Sequence, residues 1–113
     1  MAQLKSIKSE LSKKANSKKA KINQWFFKTG KGQYGEGDIF IGVTMPEIRK
    51  AVSSLYKTTT KKEINSLIYS EIHEERMAGL LVLLNKYQTS KKKSEKREII
   101  RYLLKNRKQI NNW

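Results

Sequence analysis

The sequence predicts an all-α fold, a stack of about six short helices packed as antiparallel pairs. Apolar residues recur at three- and four-residue spacing in one segment after another. Thr-x-x-Glu signatures that open helices stand before two of those segments. A single run, Ile39–Val43, reads as a strand, and no second strand is available to pair with it. The stack is organised around Ser70–Tyr87. Its first turns are acidic and Lys86 stands near its end, the order that complements a helix dipole. Met77, Leu80, Leu81, Leu84 and Tyr87 form one apolar stripe, which Ala78, Val82 and Leu83 widen to most of the circumference. A helix that is apolar nearly all round must be covered on more than one side. It is therefore expected to be the central helix, and Leu81→Ala is expected to cost about 2–5 kcal/mol. Its apolar part, Met77–Leu84, is too short to span a bilayer.

The remaining elements follow in chain order. Leu4, Ile7 and Leu11 give a narrow stripe and a marginal amphipathic helix over residues 2–15. Asn16-Ser17 breaks it. A second helix is expected from about Lys18 to Lys28, with Ile22, Trp25 and Phe26 on one face. Trp25-Phe26-Phe27 is the densest aromatic cluster of the chain; it reads as core, or as core with one ring facing a ligand base. Thr29–Asp38 carries four glycines and is a loop. It is not a P-loop, which needs a preceding strand and a Gly-Lys-Ser/Thr ending. Ile39–Val43 is expected to be an extended, buried segment.

Thr44-Met45-Pro46-Glu47 combines a capping box with a proline in the first turn, where its missing N–H costs nothing. Ile48, Ala51, Val52, Leu55 and Tyr56 supply that helix's apolar face. Thr60-Lys61-Lys62-Glu63 opens a short helix with Ile64, Leu67 and Ile68 inward. After the central helix, Gln88–Ser90 turns, and Ile99, Ile100, Leu103 and Leu104 define a last helix over about Ser94–Asn106. The pairs 46–57/61–69 and 73–88/94–106 share no clear residue-level repeat, but their spacing is compatible with helical-repeat proteins such as HEAT, whose repeats of about 40–47 residues must stack to bury their faces.

At 113 residues the chain is expected to be one helical-repeat domain. It has no cysteine and a single histidine, His73, so neither thiolate nor His-built metal sites are expected. No cofactor motif is present. Met1–Lys8 has no continuous apolar run, so no secretory signal is expected. The net charge is +15 and uneven: residues 1–28 carry +7, residues 29–88 carry +1 and residues 89–113 carry +7. Clustered positive charge of this size points to a polyanion, most simply nucleic acid.

Several stretches then converge in order and spacing: Trp25–Asp38, Gly42-Val43, Pro46–Arg49, Ser70–Arg76 and Asn111-Asn112-Trp113. Over residues 20–113 the chain resembles the AlkD-like DNA alkylation repair family. The resemblance implies HEAT-like repeats curved into a superhelix, with a concave basic surface that cradles duplex DNA. It implies hydrolysis of the glycosidic bond of cationic alkylated purines such as 3-methyladenine and 7-methylguanine. Trp113 matches the family's active-site tryptophan, and Phe26 aligns with an aromatic that borders the lesion. Arg101, Lys105, Arg107 and Lys108, in the C-terminal basic cluster beside that tryptophan, are the expected DNA-binding residues.

The family pattern runs Asn-Asn-Trp-Asp-x-x-Asp, and these residues stop at the Trp. The chain thus resembles the N-terminal half of the family domain and is expected to be inactive alone. Glu71, Glu74 and Glu75 are acids of the right type, but read as helix N-terminal charge and surface pairing. The alternatives are a non-catalytic DNA-binding module or a HEAT-type protein scaffold. The expected partner is duplex DNA with alkylated purines, without metal, cofactor or membrane. Self-association through the open C-terminal end of the stack is expected, and the location is cytoplasmic, at the nucleoid.

Overall fold

The computed structural model describes residues 6–26 and 39–111, with side chains described outside 22–26 and 111. It is all-α. Seven helices are described: α1 (Ile7–Lys14), α2 (Ser17–Phe26), α3 (Met45–Leu55), α4 (Lys61–Ile68), α5 (His73–Thr89), α6 (Lys93–Lys105) and α7 (Arg107–Asn111). The seventh is a short turn of helix beyond the expected end at Asn106. Among the described residues no strand forms; one isolated parallel bridge joins Ile39 to Ile72.

The helix starts follow the local chemistry. Ser6 begins α1 with a capping box completed by Ser9, later than the residue 2 expected from periodicity. Asn16 caps α2: its Oδ1 accepts the Lys19 N–H at 3.1 Å. Thr44 and Glu47 reciprocate at the start of α3. The Thr60 hydroxyl accepts the Glu63 N–H at 3.2 Å at the start of α4. No side chain caps α5, whose N-cap is Ile72; instead the His73 N–H donates to the Ile39 carbonyl at 2.8 Å.

α5 is central, in contact with α1, α3, α4 and α6. The pairing differs from expectation. The main partner of α4 is α5 rather than α3, while α1, α3 and α5 contact one another pairwise. Gly79 is one physical reason. A Cβ there would lie 3.0 Å from both Leu67 Cβ and Ile68 Cδ1, so α4 settles closely on the one residue of α5 without a side chain.

The buried face of α5 also differs. Ala78, Gly79, Val82 and Leu83 are buried, together with Glu74, Glu75 and Arg76 at its start. Met77, Leu80, Leu81 and Tyr87 are half-buried, and Leu84 is 48 % exposed. At 100° per residue the expected stripe lies nearly opposite the buried face. The small residues won because they let neighbouring helices approach; the larger ones sit at the margin. Leu81 is therefore not enclosed, and the cost expected for Leu81→Ala falls to the low end of the range or below it. The core gathers Ile7, Leu11, Val43, Ile48, Val52, Ile64, Leu67, Ile68, Ala78, Val82 and Leu83. α6 contributes no fully buried residue; it packs through half-buried Ile99, Tyr102 and Leu103.

Candidate nucleic-acid interface

The Ser70–Arg76 stretch forms a clamp directed into the protein. Glu74 is 2 % exposed. Its carboxylate accepts the N–H groups of Ile41 at 3.1 Å, Gly42 at 2.8 Å and Val43 at 3.2 Å. The extended segment 39–43, expected to be buried, is held there, with Phe40 and Val43 in the interior and Ile39 partly exposed. The Phe40 and His73 rings lie 4.6 Å apart between centroids. Glu75, also buried, accepts the Ser70 hydroxyl at 2.7 Å and pairs with Lys8 at 3.6 Å. Arg76 donates to the carbonyls of Ser70 at 3.1 Å and Glu71 at 3.2 Å. The surface-pairing reading of Glu74 is corrected: it is an interior acceptor, because the extended segment's N–H groups need partners that no neighbouring strand supplies, whereas Glu75 does pair, with Lys8, but from a buried position. Glu71 is exposed.

Gly42 completes the clamp. Its φ is +79°, and a Cβ there would collide with the Asn16 carbonyl oxygen and stand 2.8 Å from the Ala20 nitrogen. The Asn16 N–H in turn donates to the Ile41 carbonyl at 2.7 Å. The start of α2, the extended segment and the start of α5 are thereby fixed to one another.

The basic side chains lie elsewhere. A groove of about 900 Å³ runs between the α3–α4 turn and α6, closed at one end by the α5–α6 turn. Its floor is Ile64, Leu83, Ile99, Tyr56 and Tyr102. Among the described residues, seven Lys or Arg side chains line it against two Glu. Arg101 and Lys105 are on its α6 side, exposed. Arg107 and Lys108 are exposed on α7 and are not part of its lining. Trp113 and the Phe26 side chain fall outside the described residues.

The α6–α7 junction is rigidly tied to α4. Asn106 is buried; its Oδ1 accepts the Tyr69 hydroxyl, and its Nδ2 donates to the Tyr102 carbonyl at 2.8 Å. The Tyr102 hydroxyl donates to Asn65 Oδ1 at 2.9 Å, and burial first, then the neighbouring Tyr69, push its phenol upward in pKa. Gln109 Nε2 reaches the Ile68 carbonyl at 3.3 Å. These contacts set the direction in which Arg107 and Lys108 project.

The N-terminal lysines are placed differently. Lys8 donates to the Ser66 hydroxyl at 2.6 Å besides its pairing with Glu75, and Lys13 pairs with Glu10 at 3.4 Å. Among the described residues Arg101, Lys105, Arg107 and Lys108 make no ion pair. The sequence reasoning missed Lys57, Lys61 and Lys86, which line the same groove as Arg101. They belong to the segment of near-zero net charge, so no linear signal marks them. Four acids of that segment are engaged inward or at caps. Glu74 and Glu75 are buried, and Glu47 is held by Thr44, whose N–H and then hydroxyl lower its pKa.

Among the described residues no group of three or more His, Cys, Asp or Glu could hold a metal ion, and no helix is long and apolar enough to cross a membrane. The fold and this surface define an all-α helical protein with an outward-facing basic side. A family model described as DNA alkylation repair enzyme matches residues 7–113, nearly the whole chain. The chain belongs to that family. No curated protein and no solved structure matches it.

Proposed function

We propose that the chain serves the repair of alkylated DNA, holding duplex through its phosphates with Arg101, Lys105, Arg107 and Lys108. Phe26 and Trp113 would face the damaged nucleotide. The reaction is release of a cationic alkylated purine by hydrolysis of its glycosidic bond. The family match over residues 7–113 carries this reading. The exposed placement of the four C-terminal cations, without an ion pair among the described residues, against Lys8 and Lys13, which pair with Glu75 and Glu10, supports it. An oxocarbenium-like transition state needs a positioned negative charge. Glu74 is engaged by three backbone N–H groups and does not supply it.

Salt titration of duplex binding tests the reading. The logarithm of the binding constant should fall steeply with that of salt, by about 0.9 per phosphate neutralised. Neutralising Lys105, Arg107 and Lys108 to Gln should weaken binding more than neutralising Lys5, Lys8 and Lys13. Equal losses would refute the placement, and salt-independent or absent binding would remove DNA from the account.

A further inference from the structure

The groove between the α3–α4 turn and α6 has a chemistry that duplex DNA does not match. We propose that it receives an acidic, amphipathic peptide segment of a partner protein. Its floor is apolar: Ile64 and Leu83 belong to the core, and Ile99 and Tyr102 are only half-buried beside them. Its rim is cationic, with Lys57 and Lys61 on one side, Arg101 and Lys105 on the other and Lys86 at the end. Duplex DNA presents phosphates and would leave the floor in contact with water. A segment with leucines on one side and carboxylates on the other covers the floor and neutralises the rim together, the arrangement by which amphipathic helices dock in grooves.

Glu98 already occupies part of that role. It reaches from α6 to Lys61 on α4 at 3.4 Å, across the mouth, with both side chains well exposed. An exposed pair of this kind is worth little and gives way readily. A partner carboxylate on Lys61 replaces Glu98 there, so Glu98 competes with the incoming segment. This site shares Arg101 and Lys105 with the DNA reading but rests on the apolar floor and on Lys57, Lys61 and Lys86, which take no part in that reading.

The test is a titration of the uniformly ¹⁵N-labelled chain with two synthetic Glu/Leu peptides of one composition, followed by amide chemical shifts. One peptide places its leucines at i, i+4 and i+7; the other has the same residues shuffled. The patterned peptide is expected to shift the amides of Lys57–Ile64 and Ile99–Lys105. Its affinity should fall roughly tenfold in K61E/K86E and rise in Glu98→Gln, in line with the effect of rim charges on association. The spectra themselves report that each variant is folded. Equal binding of the two peptides, shifts centred on another surface, no shifts at all, or the same shifts at Lys57–Ile64 from a short duplex or single-stranded oligonucleotide in place of the peptide would each overturn the proposal. Loss of duplex binding on neutralising Arg107 and Lys108, with peptide binding intact, would leave it standing.

Discussion

Two residues in the clamp depend on atoms with little freedom. Gly42 has a backbone conformation that other residues adopt only with strain, and its missing Cβ leaves room for the first turn of α2. Gly42→Ala is expected to destabilise by at least about 1–2 kcal/mol, measured by urea denaturation. An unchanged midpoint would mean that the approach of α2 to segment 39–43 is drawn too close. Glu74→Gln keeps the size of the side chain but turns a charged acceptor of three N–H groups into an amide with one acceptor oxygen. A loss of about 1–3 kcal/mol is expected.

Glu47 gives a pH prediction. Thr44 holds its carboxyl below the ordinary value of 4.5. The folded state therefore takes up this proton less readily than the unfolded chain. The stability it contributes is present above that ordinary value and is lost as pH falls through the lowered one. The difference in urea midpoint between the native chain and Glu47→Gln should be widest near neutrality and close as pH falls below the ordinary value of 4.5 and through the lowered one. A difference independent of pH would mean that the carboxylate form plays no part in the cap.

At the scale of elements, α5 shows what periodicity reveals and what it leaves open. Its existence, polarity of charge and central place were legible, because apolar residues on every side demand several neighbours. The choice of buried face was not. Hydrophobicity ranks Leu80, Leu81 and Leu84 above Ala78 and Gly79, whereas close packing ranks the small residues first. Leu83→Ala is expected to cost about 2–5 kcal/mol, and Leu84→Ala, on the opposite side, under about 1 kcal/mol. Comparable losses at both positions would contradict the orientation of the helix. The cap of α3 was legible residue by residue, since Thr-x-x-Glu names both donor and acceptor; at α4 the Thr60 hydroxyl accepts the Glu63 N–H, but the Glu63 carboxylate takes the Thr60 hydroxyl and not its N–H. The partner of α4 was not legible, because it depends on contact across the chain with Gly79.

At the scale of the molecule, the charge of the chain was legible and its arrangement was not. The basic ends stand out in any count, whereas the lysines of the middle segment are matched nearly one for one by acids. Among the described residues folding separates most of the two populations: Glu74 and Glu75 turn inward and Glu47 and Glu63 to caps, while Glu71 and the groove lysines stay at the surface. Arg101 and Lys105 belong to the C-terminal cluster, but their neighbours Lys57, Lys61 and Lys86 come together only through the packing of α3, α4 and α6 on α5. The four cations assigned to duplex binding predict a salt slope reduced by up to about 3 to 4 when all are neutralised. A slope left unchanged would mean that the duplex lies on another surface.

The inward acids also bear on how the fold endures. Like charges crowded on one shell repel, and the strain of that crowding is relieved when the chain opens. A multivalent counterion that gathers several ammonium groups at once binds the compact form better than the expanded one. Heparin or polyphosphate should accordingly raise the melting temperature, by an amount that grows with concentration and fades as sodium chloride is added.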